Sequence, residues 1–261
     1  MIFRRAIYDP FATCFIFCCR APCHGRFALL ITQRLSPIFV ALATILLCAL
    51  VLARLLVWQV RTFQFWHLLG TPVLFLLSTF GSLFLIESSR IQFGLALFVT
   101  LILFLFVEHV FSFIHLPAQY QPFTLEYLSE LVHILSVFFL ATLGFGLRLF
   151  LQTPLWVLSI LLFPFLCFIV YGTLWAGKVE AHRARSYALA SAALITELFA
   201  AISFLPTGFY TNAAFLTLGV WVLLGLSRAD AMRKLSKEVL WRYVILFVVL
   251  MIVIATTSQW V

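Results

Sequence analysis

The sequence predicts an all-α fold, a polytopic transmembrane helical bundle of about eight spans. Hydrophobic residues make up 64% of the 261 residues and charged residues only 10%, whereas a soluble domain carries about 25% charged residues. The apolar segments are each about 20 residues long, which is the length that a helix needs to cross the hydrocarbon core of a bilayer. Strands of membrane β-barrels alternate polar and apolar residues over about 10 positions, and these continuously apolar segments therefore favour helices.

Eight predicted spans take up nearly all of the chain after residue 36. We place them at about 37–58, 65–86, 91–113, 125–149, 154–176, 186–205, 208–226 and 239–258. Residues 37–261 are therefore predicted to form one transmembrane helical domain, and residues 1–36 a basic, cysteine-containing segment that need not be structured. Six of the seven tryptophans fall near a predicted span end, where aromatic side chains meet the membrane interface: Trp58, Trp66, Trp156, Trp175, Trp241 and Trp260.

Local residue patterns indicate where several helices begin and end. Thr153 followed by Pro154 is typical of an N-cap and a first helical position, and Thr124 is predicted to cap the fourth helix in the same way. Pro164 lies inside the fifth span, where it should kink the helix. The polar stretch Ser227–Glu238 is predicted to lie on the membrane surface or to extend the last helix.

Lysine and arginine are distributed unevenly between the two sides of the predicted bundle. Of the 12 such residues after residue 36, ten lie in or beside loops 1–2, 5–6 and 7–8, and only Arg90 and Arg148 lie opposite. Because positive residues accumulate on the cytoplasmic side, we expect those three loops to be cytoplasmic in a bacterial-type plasma membrane. The five arginines within residues 1–36 conflict with this orientation, since eight spans place that segment outside. The segment is translocated despite its charge, the span count is wrong by one, or the segment is absent from the native protein.

The formal net charge of +8 indicates a lipid bilayer as the main partner. The basic residues lie at helix ends and in short loops, which suits contact with anionic lipid head groups. The sequence contains no Gly-rich phosphate loop and no nucleic-acid module, so neither a nucleotide nor a nucleic acid is predicted as a ligand. Other membrane proteins are the remaining candidate partners.

A cluster of cysteines in the N-terminal segment is a first candidate site. It consists of Cys14, Cys18, Cys19, Cys23 and His24. Thiolates and an imidazole can bind zinc or an iron–sulfur cluster, and cysteines near a membrane can also carry lipid. The spacing lacks the paired Cys-x2–4-Cys arrangement of zinc sites, so we favour no role for this cluster.

A group of acids and histidines on the predicted cytoplasmic side is a second candidate. Glu108 and His109 lie at the end of the third span, and Glu126 precedes the pair Glu130 and His133 in the fourth. A carboxylate and an imidazole at positions i and i+3 are the pair that helical bundles use to hold metals, and the sequence therefore predicts a possible divalent metal site. The same groups could relay protons, and interfacial anchoring of the helix ends is the favoured reading.

Glu197 is the third candidate, because it lies near the middle of the sixth predicted span. An acid at that depth costs several kcal/mol unless it is buried, protonated or paired. Small residues mark helix–helix interfaces in membranes, and we therefore expect Glu197 to face the bundle and to receive a hydrogen bond from Thr217. It is then either a proton or substrate site or a protonated bridge between two helices. The small residues predicted to share a helix face with Glu197 are Ala190, Ala193, Ala200 and Ala201.

Three functional hypotheses follow from these residues. The stretch from Glu197 to Leu226, with its Phe-Leu-Pro turn, resembles multi-pass bacterial membrane proteins without an assigned activity, and this resemblance implies none. The leading hypothesis is a non-enzymatic accessory or scaffold subunit, because the chain has few buried polar groups, short loops and no nucleotide site. The alternatives are a small proton-coupled carrier that uses Glu197, and a metal-dependent membrane enzyme that uses the acid and histidine group.

Overall fold

The computed structural model describes residues 37–58, 60–116, 120–121 and 124–258. Within these ranges the chain forms eight α-helices and no strand, which confirms the predicted all-α class. Seven helices are long and apolar enough to cross a membrane, and the first contains a shorter apolar run, Phe39–Leu55. The helices are α1 (Pro37–Leu55), α2 (Phe63–Leu83), α3 (Ser89–His115), α4 (Thr124–Leu151), α5 (Leu155–Ala176), α6 (Ala181–Ile202), α7 (Phe209–Ala231) and α8 (Lys237–Thr257).

Each helix overlaps one predicted span. Apolar segments of this length form helices because a helix satisfies its backbone hydrogen bonds internally and is therefore stable in lipid. The largest differences lie at the ends of α6 and α7. Helix α6 begins at Ala181, ahead of the predicted start at residue 186. Helix α7 continues to Ala231, so the predicted polar stretch Ser227–Glu238 is mostly helical and only residues 232–236 connect α7 to α8.

Two of the predicted helix caps are wrong. Pro154 itself occupies the N-cap position of α5 and makes no side-chain cap hydrogen bond. Thr124 is the first residue of α4, and its hydroxyl donates to the carbonyl oxygen of Gln121 at 3.0 Å. The observed caps are Thr62 of α2 and Ser236 of α8, whose hydroxyl oxygens accept backbone N–H groups of the first turn.

The five tryptophans within the described ranges that were predicted near span ends all lie at or near the ends of observed helices. Trp66 lies in the first turn of α2, and its indole N–H donates to the carbonyl oxygen of Val60 at 2.9 Å. Trp156 and Trp175 lie at opposite ends of α5, as expected if this helix crosses the membrane from one interface to the other. Trp260 falls outside the described residues.

The chain divides into two compact units, Met1–Leu128 and Ser129–Val261. In the first unit α2 packs against both α1 and α3. One face of α2 is buried although it is polar, and its hydroxyls donate to carbonyl oxygens of their own helix at 2.7–3.0 Å. Such bonds remove the cost of burying hydroxyls without any contact to another helix. The buried polar residues on this face are His67, Thr71, Ser78, Thr79 and Ser82.

In the second unit α6 packs against α5 and α7, and α7 also contacts α5 and α8. Helix α4 joins this core where the Phe145 ring lies 4.5 Å from that of Phe199 in α6, measured between centroids. Two glycines allow the helices to approach closely, Gly219 against Leu198 of α6 and Gly225 against Tyr243 of α8. Helix α8 packs mainly on α7 and contributes no buried residue.

Candidate functional site

Polar contacts between helices concentrate at one end of the second unit, where α4, α6 and α8 begin and α5 and α7 end. Four pairs of side chains meet there, and each pair joins two different helices. We call them the polar end cluster. The pairs are Glu130 with Arg228, His133 with Thr173, Ser191 with Ser227 and Tyr187 with Asp230.

The ion pair of this cluster joins α4 to α7. A guanidinium nitrogen of Arg228 lies 2.8 Å from a carboxylate oxygen of Glu130, and the two side chains are 26% and 19% exposed. Arg228 also packs against Gly177 at the end of α5, where an added Cβ would lie 3.5 Å from Nε. Because carbonyl groups at a helix C-terminus attract cations, Arg228 is stabilised by α5 as well as by Glu130. One charged side chain thus contacts three helices.

His133 is fully buried between α4 and α5. Its Nδ1 lies 3.1 Å from the hydroxyl oxygen of Thr173, and that hydroxyl donates its own proton to the carbonyl oxygen of Ile169 at 2.8 Å. Nδ1 must therefore carry a hydrogen and donate to Thr173, which assigns the tautomer of the ring. With no exposure to solvent, this imidazole holds two helices together and has no direct route for exchanging protons with water.

Two further contacts extend the cluster to α6 and α7. The hydroxyls of Ser191 and Ser227 lie 3.1 Å apart in a buried position. Nearer the helix ends, the hydroxyl of Tyr187 donates to the carboxylate of Asp230. The polar end cluster therefore links α4, α5, α6 and α7 through side-chain contacts, although Nε of Arg228 is buried without a hydrogen-bond partner among the described residues.

The residues predicted to bind a metal are distributed over both units. Glu108 and His109 belong to the first unit, where Nδ1 of His109 lies 2.7 Å from the carbonyl oxygen of Leu105. Glu130 and His133 belong to the second and have the protein partners described above. In neither unit do the described residues include a group of three or more His, Cys, Asp or Glu side chains that could hold a metal ion. The predicted cysteine cluster lies outside the described residues.

Glu126, which shares the predicted acidic face of α4, has a different partner. Its carboxylate accepts a hydrogen bond from the hydroxyl of Tyr120 at 2.9 Å, and the phenol oxygen accepts the backbone N–H of Leu125 at 3.1 Å. Desolvation raises the pKa of Tyr120, and the adjacent carboxylate raises it further. These bonds hold the segment before α4 against the first turn of that helix.

Glu197 does not lie inside the bundle, and the prediction that it faces other helices of the chain is wrong. Its side chain is exposed, because the face of α6 that packs inward carries Ala188, Ala192, Ile195 and Phe199. At 100° per residue, Glu197 falls on the opposite face. Its neighbour Leu198 lies beside Gly219 of α7, and Glu197 itself lies five residues before the end of α6 at Ile202, nearer that end than the predicted span placed it.

The small residues around Glu197 are also on the outside. Ala190, Ala193 and Ala201 are exposed, and Ala200 is half-buried. Thr217 does not bond to Glu197, because its hydroxyl donates to the carbonyl oxygen of Ala213 at 2.7 Å. The carboxylate of Glu197 has no hydrogen bond or ion pair with any residue that the structure describes. We call Ala190, Ala193, Glu197 and Ala201 the outer face of α6.

Comparison with known proteins adds no assignment, because the chain matches no protein-family model, no curated protein and no solved structure. Sequence reasoning missed the importance of Arg228, which it counted only as a loop cation. A signal was present, since Arg228 directly follows the apolar stretch of α7 and Gly177 closes α5 at the same end. Hydropathy does not reveal which acid faces such an arginine.

Proposed function

We propose that this chain is a non-enzymatic accessory subunit of a larger membrane assembly and that it docks a transmembrane helix of another protein on the outer face of α6. The exposed carboxylate of Glu197, on a helix that is long and apolar enough to cross a membrane, is the observation that carries this proposal. A plasma membrane of the bacterial type, with the polar end cluster in the cytoplasm, is the proposed location.

The argument begins with the cost of an acid in lipid. A charged acid facing the centre of the hydrocarbon region costs about 2.5–3.5 kcal/mol on insertion scales. No described residue of this chain offsets that cost for Glu197, which lies within α6, five residues before its end at Ile202. A partner that supplies a hydrogen bond to Glu197 removes the penalty, so the face is best explained as a contact surface.

The composition of the outer face fits a helix as the partner. Ala193, Glu197 and Ala201 follow one another at intervals of four residues, so they form a single stripe along α6. Small side chains let two helix backbones approach closely, and polar side chains on such a surface form hydrogen bonds worth roughly 0.6–2 kcal/mol in membranes. A partner helix with a hydroxyl or amide at the depth of Glu197 would complement this surface.

The two alternative functions receive less support. A carrier that uses Glu197 needs that carboxylate along a path between helices, whereas its side chain is exposed on the outer face of α6. A metal-dependent enzyme needs side chains that are free to bind the metal ion, whereas the carboxylate of Glu130 is paired with Arg228. The contacts of the polar end cluster join helices, as expected for a rigid framework that presents an outer surface.

The proposal is tested by comparing two replacements of Glu197 in the full chain, purified with its partners in a mild detergent. Glu197→Gln keeps a hydrogen-bonding group and should retain the partner within about threefold, whereas Glu197→Leu should lower its recovery by about 3- to 30-fold, the equivalent of one interhelical hydrogen bond. Ala193→Leu adds bulk to the outer face and should also release the partner. Ala43→Leu, at an exposed alanine of α1, is the matched control.

A photo-crosslinking residue in place of Leu194, an exposed neighbour of the outer face, identifies what lies there. A crosslink to another membrane protein that disappears in the Ala193→Leu background supports the proposal. Crosslinks to lipid alone, or to a second copy of this chain, contradict it. Loss of proton-coupled uptake in Glu197→Gln would instead establish the carrier.

A further inference from the structure

A short basic connection joins α7 to α8 at the same end of the second unit as the polar end cluster. Arg233 and Lys234 lie in the connection, and Lys237 is the first residue of α8. All three side chains are exposed. None of them forms an ion pair with a described residue, unlike Arg228 and Arg183 nearby. We call these three residues the basic connection.

Two local features show that helix stability alone does not explain these cations. Arg233 has a φ of 55°, a left-handed conformation that glycine adopts at lower cost than any residue with a side chain. Lys237 lies in the first turn of α8, where the helix dipole disfavours positive charge. Arginine and lysine are therefore the less favourable choices at these positions as far as the helices are concerned.

The charges around the basic connection do not neutralise it. The nearest acids along the chain are Asp230, which accepts a hydrogen bond from Tyr187, and Glu238, which is exposed. At the end of α5 and the start of α6, Glu180 pairs with Arg183 at 3.7 Å and Arg185 is exposed. A positive surface therefore remains at this end of the second unit.

The helix that follows supplies the other half of a lipid site. Helix α8 packs mainly on α7, and none of its residues is buried. Directly after the basic connection it exposes large apolar side chains, of which Trp241 is 63% and Ile245 57% exposed. Because α8 is an apolar span that begins at Lys237, the three cations lie at the level where phosphate groups of lipids are found.

From this juxtaposition we propose that the basic connection binds the phosphate head group of an anionic phospholipid, with the acyl chains along the exposed face of α8. Guanidinium and ammonium groups provide charge-assisted hydrogen bonds to phosphate oxygens. Basic residues beside a transmembrane helix bind anionic lipids in this way. This site is separate from the outer face of α6 and does not depend on the proposed partner helix.

The experiment is native mass spectrometry of the full chain in detergent, titrated with phosphatidylglycerol or with phosphatidylcholine of the same acyl chains. We expect tighter binding of phosphatidylglycerol. The variant Arg233→Gln/Lys234→Gln/Lys237→Gln should weaken it by about tenfold or more, given the contribution of each basic residue near the surface. The control variant Arg61→Gln/Arg90→Gln/Arg148→Gln removes three cations elsewhere and should leave the binding within about twofold.

Equal binding of the two lipids by the unmodified chain, or equal losses in the two triple variants, would overturn the proposal. If the first triple variant does not fold, salt supplies the test with the unmodified chain. Binding of phosphatidylglycerol should then fall with increasing salt concentration while binding of phosphatidylcholine stays constant. A preference that is independent of salt contradicts a site built from these cations.

Discussion

Removing Arg228 should destabilise the second unit more than removing any exposed cation, because it leaves Glu130 without its counter-charge. The pair has a nitrogen–oxygen distance of 2.8 Å and side-chain exposures of 26% and 19%. It therefore lies between a surface pair, worth about 0–1 kcal/mol, and a buried pair, whose disruption costs about 3–5 kcal/mol. We expect Arg228→Met to lower the free energy of unfolding by about 2 kcal/mol.

The assay is thermal unfolding in detergent, with all variants heated at the same rate because such unfolding is often irreversible. For a chain of this size, about 2 kcal/mol corresponds to a fall in apparent Tm of about 4–8 °C. The double variant Glu130→Gln/Arg228→Met has no unpaired charge and should recover much of that loss. A double-mutant cycle should give a coupling of about 1–2 kcal/mol, typical of side chains in direct contact.

Arg183→Met is the matched control, because Arg183 pairs with Glu180 at 3.7 Å and these side chains are 41% and 72% exposed. Its effect on apparent Tm should be small, as for other surface pairs. The reasoning is refuted if Arg228→Met and Arg183→Met lower Tm equally. It is also refuted if the double variant is less stable than Arg228→Met alone.

Two further predictions concern close packing and pH. Gly219→Leu should lower the free energy of unfolding by about 1–3 kcal/mol, because an added Cβ would lie 2.6 Å from a side-chain carbon of α6. The control is Gly94→Leu, where nothing lies within 4 Å of an added Cβ. Equal Tm values for the two variants would contradict the packing argument. Burial, and then the adjacent Glu126, raise the pKa of Tyr120 in the folded protein. The neutral phenol therefore stabilises the fold fully at pH values below the unfolded pKa of about 10. This stabilisation is lost as the pH rises through the pKa of the folded state. In absorbance titrations at 295 nm, the tyrosine signal that is missing from Tyr120→Phe should titrate above about pH 10. Tyr127→Phe is the control. If the missing signal titrates at or below that pH, the raised pKa of Tyr120 is contradicted.

The sequence predicted which tryptophans lie near helix ends. Trp66, Trp156 and Trp175 lie at helix ends because an indole ring prefers the boundary between lipid and water, and this preference depends on depth alone. The acids of α4 were also recognised as polar positions at a helix start. Their partners were not predicted, since Arg228 and Thr173 come from helices distant in sequence and reach Glu130 and His133 only after packing.

Glu197 shows where prediction from sequence failed and why. Its depth was predicted from its place near the middle of an apolar segment, whereas the observed α6 ends at Ile202, only five residues beyond Glu197. Its direction was inferred from the alanines around it, on the assumption that small residues face helices of the same chain. Alanines lie on both faces of α6, and the inward face is the one with Ala188 and Ala192.

The sequence by itself determined that this chain is a helical membrane protein, because any apolar segment of about 20 residues that satisfies its own backbone hydrogen bonds is stable across a bilayer. It also indicated which tryptophans lie near helix ends. Only the tertiary structure decided which face of each helix is covered by another helix. Lipid tails are as apolar as leucine. A helix that is apolar all round therefore has no sequence pattern that distinguishes the face against lipid from the face against another helix. Close contacts such as Gly219 with Leu198 determine which face is packed.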